Sequence, residues 1–272
     1  MSNFCSVNAN LHSMKSWLLF TFLALSCAVA HAQIVNADGK GVVYNSEFTI
    51  DVRLHTNGWS LGYNKAEIVQ FDRIKFQGIE IGEIKHPKQD RRTFDLLAFG
   101  SNNNDSRSYI YGKQNNLFFI KYNIGQKRYL TDKAERKGAV FGISYSAGPT
   151  LGLVKPYLVE VVETEIGANG ALGRDVVAIQ YDGTNDDVFL DPNEVVGPAG
   201  ISKGWGDLKV QPGLHAKAAI HLDWGAFDQV VKGFEMGLMV DFFFKEVPIM
   251  IIEDNSQLFL NLYINAHIGR RK

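Results

Sequence analysis

Three segments in the last third of the chain alternate apolar and polar residues with a period of two, and few folds accept that pattern three times running. From Leu208 to Leu222 the even positions are Leu208, Val210, Pro212, Leu214, Ala216, Ala218, Ile220 and Leu222, with Lys209, Gln211, Gly213, His215, Lys217, Ala219 and His221 between them. From Lys232 to Phe244, the residues Phe234, Met236, Leu238, Val240, Phe242 and Phe244 alternate with Gly233, Glu235, Gly237, Met239 and Asp241. From Gln257 to Ile268, Leu258, Leu260, Leu262, Ile264, Ala266 and Ile268 alternate with Gln257, Phe259, Asn261, Tyr263, Asn265 and His267. Successive side chains of a strand point to opposite faces, so each segment is expected to be a strand with one oily and one polar side.

The start of the chain sets the compartment. Lys15, an apolar run from Trp17 to Val29 and Ala30-His31-Ala32 before Gln33 have the form of a secretory signal peptide, with cleavage expected after Ala32. Met14 is an alternative start, and the run is short for a spanning helix of about 20 residues. Cys27 suggests a lipoprotein site, but Ala24 stands where such sites usually carry Leu. Residues 1–32 are therefore read as leader and signal peptide, and residues 33–272 as one outer-membrane β-barrel domain, with no linker, repeat or low-complexity tract to divide it. Both cysteines, Cys5 and Cys27, fall in the part removed, which excludes disulfides and thiolate chemistry from the mature chain. Lys15 is the one charged residue before Gln33, so 27 basic residues remain against 29 acidic ones, a net charge of −2. That balance makes no case for nucleic acid. No other stretch approaches the ~18 apolar residues of a membrane helix, so any insertion must be by strands.

Earlier in the chain the alternation is less regular. Phe48, Ile50, Val52 and Leu54 lead to Asn57-Gly58, after which Trp59, Leu61 and Tyr63 carry the apolar parity. Such a flip is either a bulge in one long strand or an Asn-Gly hairpin, and the bulge is preferred because it leaves an even strand count. A strand from about Ile74 to Lys85 shows a second slip at Gly78. Others follow at Leu117 to Gly125, Ala139 to Ala147 and Leu151 to Val162, the last two joined through Gly148-Pro149-Thr150. A long connection then runs from Glu163 to Trp205. The count is eight, with ten as the alternative. Starting in the periplasm, it puts the Glu163 to Trp205 connection outside and the Pro87 to Asn116 segment on the periplasmic side, against the rule of long outer loops and short inner turns.

A soluble barrel or sandwich would also alternate. Its polar faces should carry many Lys and Glu, whereas these carry amides, glycines and a few opposite charges, which suit a crowded polar interior. Trp59, Tyr157, Trp205, Trp224 and Phe244 fall at strand ends, where aromatic girdles form. The fold class expected is therefore all-β, a transmembrane antiparallel β-barrel. The runs His55-Thr56-Asn57-Gly58-Trp59, Gly82-Glu83-Ile84-Lys85-His86-Pro87-Lys88, Tyr111-Gly112-Lys113-Gln114-Asn115-Asn116 and Gly152-Leu153-Val154-Lys155-Pro156 give the chain a family likeness. With Leu260 to Ile264 and Gly269 to Lys272, it resembles uncharacterised outer-membrane β-barrel proteins of Bacteroidota-type bacteria. The resemblance implies an outer-membrane location and a barrel, and it brings no catalytic residues.

The candidate site is a lumen polar network of Asp51, Arg53, His215, Lys217, His221, Glu235, Asp241 and His267. Carboxylates and imidazoles together suit a proton relay, a metal site or a hydrolytic centre. The favoured reading is structural, with opposite charges, Lys209 among them, satisfying one another across a narrow barrel. Asp182-Gly183-Thr184-Asn185-Asp186-Asp187 and Asp191 offer oxygen ligands without EF-hand spacing, and a solvated acidic loop is preferred. Lys85 to Arg92 is a basic cluster placed near the inner rim, and Lys127-Arg128 with Arg136-Lys137 is one on the next outer loop. A solvated loop is preferred for both, over contact with anionic lipid or a periplasmic partner in the first and with lipopolysaccharide phosphate in the second. No cofactor, no metal and no Ser-His-acid set are expected. The function expected is a non-enzymatic envelope barrel, structural or interacting, within a secretion or assembly machine. Its partners would be outer-membrane lipid and envelope proteins met through the 163–205 loop. The alternatives are a narrow channel and a lipid-modifying barrel enzyme.

Overall fold

The computed structural model describes residues 44–70, 72–93, 108–131, 139–166, 172–191, 194–224 and 229–272. The expected signal peptide, its cleavage site and Arg136-Lys137 lie outside these residues. Chain order runs β1 (Ser46–His55), β2 (Gly58–Gln70), β3 (Arg73–Ile84), β4 (Arg91–Thr93), β5 (Ser108–Ile110), β6 (Asn115–Tyr129) and β7 (Val140–Pro156). It continues with β8 (Leu158–Ile166), β9 (Leu172–Gln180), a one-turn helix α1 (Asp186–Phe189), β10 (Val195–Pro198), β11 (Lys209–Asp223), β12 (Val230–Val247) and β13 (Ser256–Arg271).

Eight of these strands, β1, β2, β3, β6, β7, β11, β12 and β13, close an antiparallel barrel in which β1 pairs with β13. Following paired positions once around, from Leu260 through Val240, Ala216, Ala147, Ile124, Gln77, Lys65 and Phe48 to Arg270, returns to β13 ten residues further on. For eight strands that stagger implies a tilt of about 40° and an interior just wide enough for side chains to fill.

The count of eight agrees with the sequence expectation although three of its strands were drawn wrongly, because the two errors cancel. Asn57-Gly58 is a hairpin and not a bulge, since His55 pairs directly with Gly58. Gly58 has φ 155°, and a Cβ there would overlap the Glu83 carbonyl oxygen. Gly148-Pro149-Thr150 is the middle of β7 and not a turn. Pairing of β7 with β6 is interrupted between Lys121–Thr150 and Ile124–Ala147, where Pro149 has no N–H to give. The strand expected from Leu151 to Val162 therefore joins the end of β7 to the start of β8, which has left the barrel. Nor does β3 slip at Gly78: it pairs with β6 in unbroken register from Arg73 to Ile84. What changes there is the character of its inward face, from Ile74 and Phe76 to Gly78 and Glu80.

These corrections move a loop. The described residues of the connections 56–57, 85–114, 157–208 and 248–255 lie at one end of the barrel, while those of 71–72, 130–139 and 224–229 lie at the other with both barrel termini. The Pro87 to Asn116 segment thus shares an end with the Glu163 to Trp205 connection, opposite to expectation. That connection is not a bare loop either. It contains β9, α1 and β10, and β10-β8-β9 form a small sheet over a core of Tyr109, Val159, Val161, Phe189 and Val195. Residues 248–255 fold inward, held where Asn255 Oδ1 accepts from the N–H groups of Ile249 (2.8 Å) and Met250 (3.2 Å). Ile249 and Met250 then pack on Ile84, Leu117, Phe119, Val154, Phe243, Val247 and Phe259, an apolar plug at the long-loop end.

The outer wall carries large exposed apolar side chains on every barrel strand, among them Val52, Leu61, Ile81, Ile120, Leu151, Leu214, Leu238 and Leu262. This belt is widest on β7, β11, β12 and β13. It is narrowest on β3, where Ile79 and Ile81 alone separate exposed Gln77 from Glu83.

Candidate functional site

Period-two alternation turns every second side chain of each barrel strand inward, and these residues are mostly polar. Arg53, Lys121, Lys127, Lys217 and Arg271 face Glu47, Asp51, Glu80, Asp223, Glu235 and Asp241, so five buried cations meet six buried carboxylates. Burying one charge alone is costly, and Arg53, Lys121, Lys217 and Arg271 each lie within 4.0 Å of a carboxylate.

Layers of this network follow the barrel axis. At the short-turn end Arg271 Nε donates to Glu47 Oε2 at 2.8 Å, with its Nη2 3.4 Å from Asp223 Oδ2, and Tyr129 Oη donates to Asp223 at 2.9 Å. Next come His221 and His267, their ring centroids 5.9 Å apart, with Glu235 Oε1 3.8 Å from His221 Nδ1. Asn265 Nδ2 bridges Glu235 (3.0 Å) and Asp51 (3.2 Å), and Asn64 Nδ2 donates to Asp51 at 2.9 Å. Glu80 sits at mid-barrel, bound by both the Arg53 guanidinium and the Lys217 ammonium. Ser60 Oγ also donates to it, at 2.8 Å. Further along, Lys121 pairs with Asp241 at 2.7 Å and lies 4.0 Å from the Phe119 ring centre. His215 is held by Thr150 Oγ1 and Asn123 Oδ1, each at 2.9 Å.

All eight expected network residues are buried inside the wall, but they do not converge on one centre. His215 and His221 share a strand face, yet one belongs to the Thr150 and Asn123 group and the other to the His267 and Glu235 group. Among the described residues no three His, Cys, Asp or Glu side chains are placed to hold a metal ion. A cavity of about 20 Å³ beside Arg53, Glu80 and Lys217 is room for roughly one water. Lys209 is exposed and stands outside the network.

Sequence reasoning missed Glu80, Lys121, Asn123 and Lys127. The signal was present for Lys121 and Asn123, which occupy odd positions opposite apolar Ile120, Tyr122 and Ile124 on β6. Glu80 was hidden by the apparent slip at Gly78. Lys127, expected on an outer loop, turns into the lumen near the Phe76 ring, 5.8 Å away. The Lys85 to Arg92 cluster sits at the long-loop end rather than the inner rim, and Lys88 pairs with Glu253 at 2.6 Å. Asp182, in the acidic run, caps a turn: its Oδ1 accepts from the Thr184 N–H and Oγ1, both at 2.8 Å. The backbone bond from Thr184, then its hydroxyl, holds the Asp182 carboxyl below its usual range. Of the expected girdle aromatics, Trp59, Trp205, Trp224 and Phe244 are exposed. Tyr157 points inward to the cap, where its oxygen accepts from the Ile110 N–H at 3.2 Å.

No protein-family model matches the sequence, and no curated protein matches it either. Among solved structures, the chain is similar to Neisserial surface protein A (NspA), with a TM-score of 0.37 and 6% identity over 84% of this chain and 97% of that one. It is also similar to the N-terminal β-barrel domain of Pseudomonas aeruginosa OprF, with a TM-score of 0.32 and 9% identity over 84% of this chain and 98% of that one.

Proposed function

We propose that this chain is an exported outer-membrane barrel with a structural or interaction role in the cell envelope, its long-loop end facing outward. The observation that carries the reading is a closed wall that is apolar and exposed outside and charged and buried inside. Apolar surface on that scale is untenable in water and normal in lipid. Closure leaves no strand edge for the hydrocarbon to meet. A channel is disfavoured because paired charges and the Ile249 and Met250 plug occupy the interior. Catalysis is disfavoured because the buried histidines are dispersed. The outward direction rests on the rule that membrane barrels keep short turns in the periplasm. Partners in a larger secretion or assembly machine would meet the sheet of β8, β9 and β10. The sequence likeness to Bacteroidota-type barrels supports the same compartment.

Two cysteine variants test insertion and direction together, since residues 33–272 contain no cysteine of their own. Ser202→Cys, exposed at the long-loop end, should react with an impermeant maleimide on intact cells. Gln229→Cys, exposed at the other end, should react only after the outer membrane is opened. Reversed labelling sinks the orientation. Equal labelling of both in a detergent-free soluble fraction sinks the membrane reading.

A further inference from the structure

The long-loop rim holds a pocket of about 270 Å³ where β6 begins and β7 passes into β8. Arg91, Ser108, Asn116, Lys155, Tyr157 and Ile201 line it, and among the described residues no Asp or Glu does. Lys155 is only 2% exposed. Its ammonium has no ion pair or hydrogen bond among the described residues, the nearest compensation being the Trp205 ring at 5.5 Å. Lys113 is buried next to it, 5.6 Å from the Tyr157 ring centre. Burial lowers the Lys113 ammonium to about 8; Glu83 opposes this, while Lys85, Arg91 and Lys155 push the same way. Most buried cations of the lumen lie against a carboxylate, so two buried ammonium groups side by side with none in contact stand apart from that pattern. A doubly charged anion there would remove the penalty. A phosphate suits best, because a guanidinium fork and an ammonium can share its oxygens.

The surroundings say where that phosphate comes from. Phe118 stacks on Trp205 (5.9 Å, 17°) just below the pocket, and Trp205 and Ile201 are exposed. Ile120 and Leu151 of the apolar belt follow beneath them. Aromatic side chains at this level mark the boundary between headgroups and hydrocarbon. We propose that the pocket binds the phosphate of a membrane lipid in the leaflet at the long-loop end, with Lys155 and Arg91 on the phosphate and the acyl chains on the belt. The proposal rests on the membrane reading above.

Mature protein folded into phosphatidylcholine vesicles doped with phosphatidic acid, then analysed by native mass spectrometry for retained lipid, tests it. Phosphatidic acid should be retained over phosphatidylcholine. Lys155→Met should cut retention roughly tenfold, as expected for one lost charge-assisted hydrogen bond, while Lys155→Arg keeps most of it. A heat-modifiable band confirms that each variant is folded. The exposed Lys209→Met is the control and should retain lipid as the wild type does. Equal retention by Lys155→Met, or an equal loss in Lys209→Met, overturns the proposal. Displacement by free glycerol 3-phosphate overturns the lipid assignment. Protein that never enters the vesicles sinks the membrane reading and this proposal with it, whereas inserted protein with no lipid preference sinks the pocket alone.

Discussion

Glu80→Gln is expected to lower the unfolding free energy of the barrel by about 3–5 kcal/mol, the cost of stripping the partner from buried charge. Glu80 is almost fully buried and binds both Arg53 and Lys217. Its amide replacement keeps the shape and removes the negative charge, so two cations are left in a dry interior. Asp51, 3.5 Å from Arg53, is the remaining carboxylate in contact with that guanidinium, and Asn64 and Asn265 already draw on it. Urea titration in detergent micelles, followed by tryptophan emission, measures the loss. Adding Lys217→Met to the same chain removes one orphaned cation and should recover part of it. A single variant that unfolds with the wild type would mean that the network fills space without contributing stability.

The fold was most legible where one rule held over a whole strand. β11, β12 and β13 alternate clearly because their outer side is largely apolar and their inner side carries many of the lumen's polar residues. On β3 the inner side starts apolar, where Ile74 packs with Ala66, Tyr129 and Val140, and turns polar at Glu80. Parity alone then imitates a slip. A proline in the middle of β7 imitates a turn for a related reason. Local chemistry names Gly148-Pro149-Thr150 a breaker, but closure supplies a neighbour on each side, and the barrel tolerates the missing N–H.

Site residues were legible to the same degree as strand faces. Those on the regular strands were placed together in the lumen, while the partner that binds Arg53 and Lys217 was not, since it lies on the strand whose face was misjudged. The pairings themselves are not in the sequence. They follow from a ten-residue stagger that brings β3 and β11, 137 positions apart, to opposite sides of one ion pair. The cap was least legible, because the inward fold of residues 248–255 depends on one side chain, Asn255, bonding three backbone groups.

Leu238→Arg and Leu262→Arg should each block stable insertion, and the comparison with a change on the inner face is what gives the result meaning. The two leucines are direct neighbours across β12 and β13, and they are 49% and 59% exposed although strongly apolar. They lie within the apolar belt, with exposed Met236, Leu260 and Ile264 around them, so an arginine there is set among apolar side chains. A cation at the midplane costs about 2–4 kcal/mol. Asn261 is adjacent in sequence to Leu262 but turns inward, where its Oδ1 accepts from Thr56 Oγ1 at 3.0 Å. Asn261→Ser loses about one neutral hydrogen bond, near 1 kcal/mol, and its smaller side chain also removes an amide nitrogen that has no protein partner. Urea-washed vesicles should therefore retain Asn261→Ser and lose both arginine variants. If the soluble fraction instead holds all three as folded, heat-stable protein, the apolar wall faces something other than lipid, and the barrel's outer surface is a protein interface.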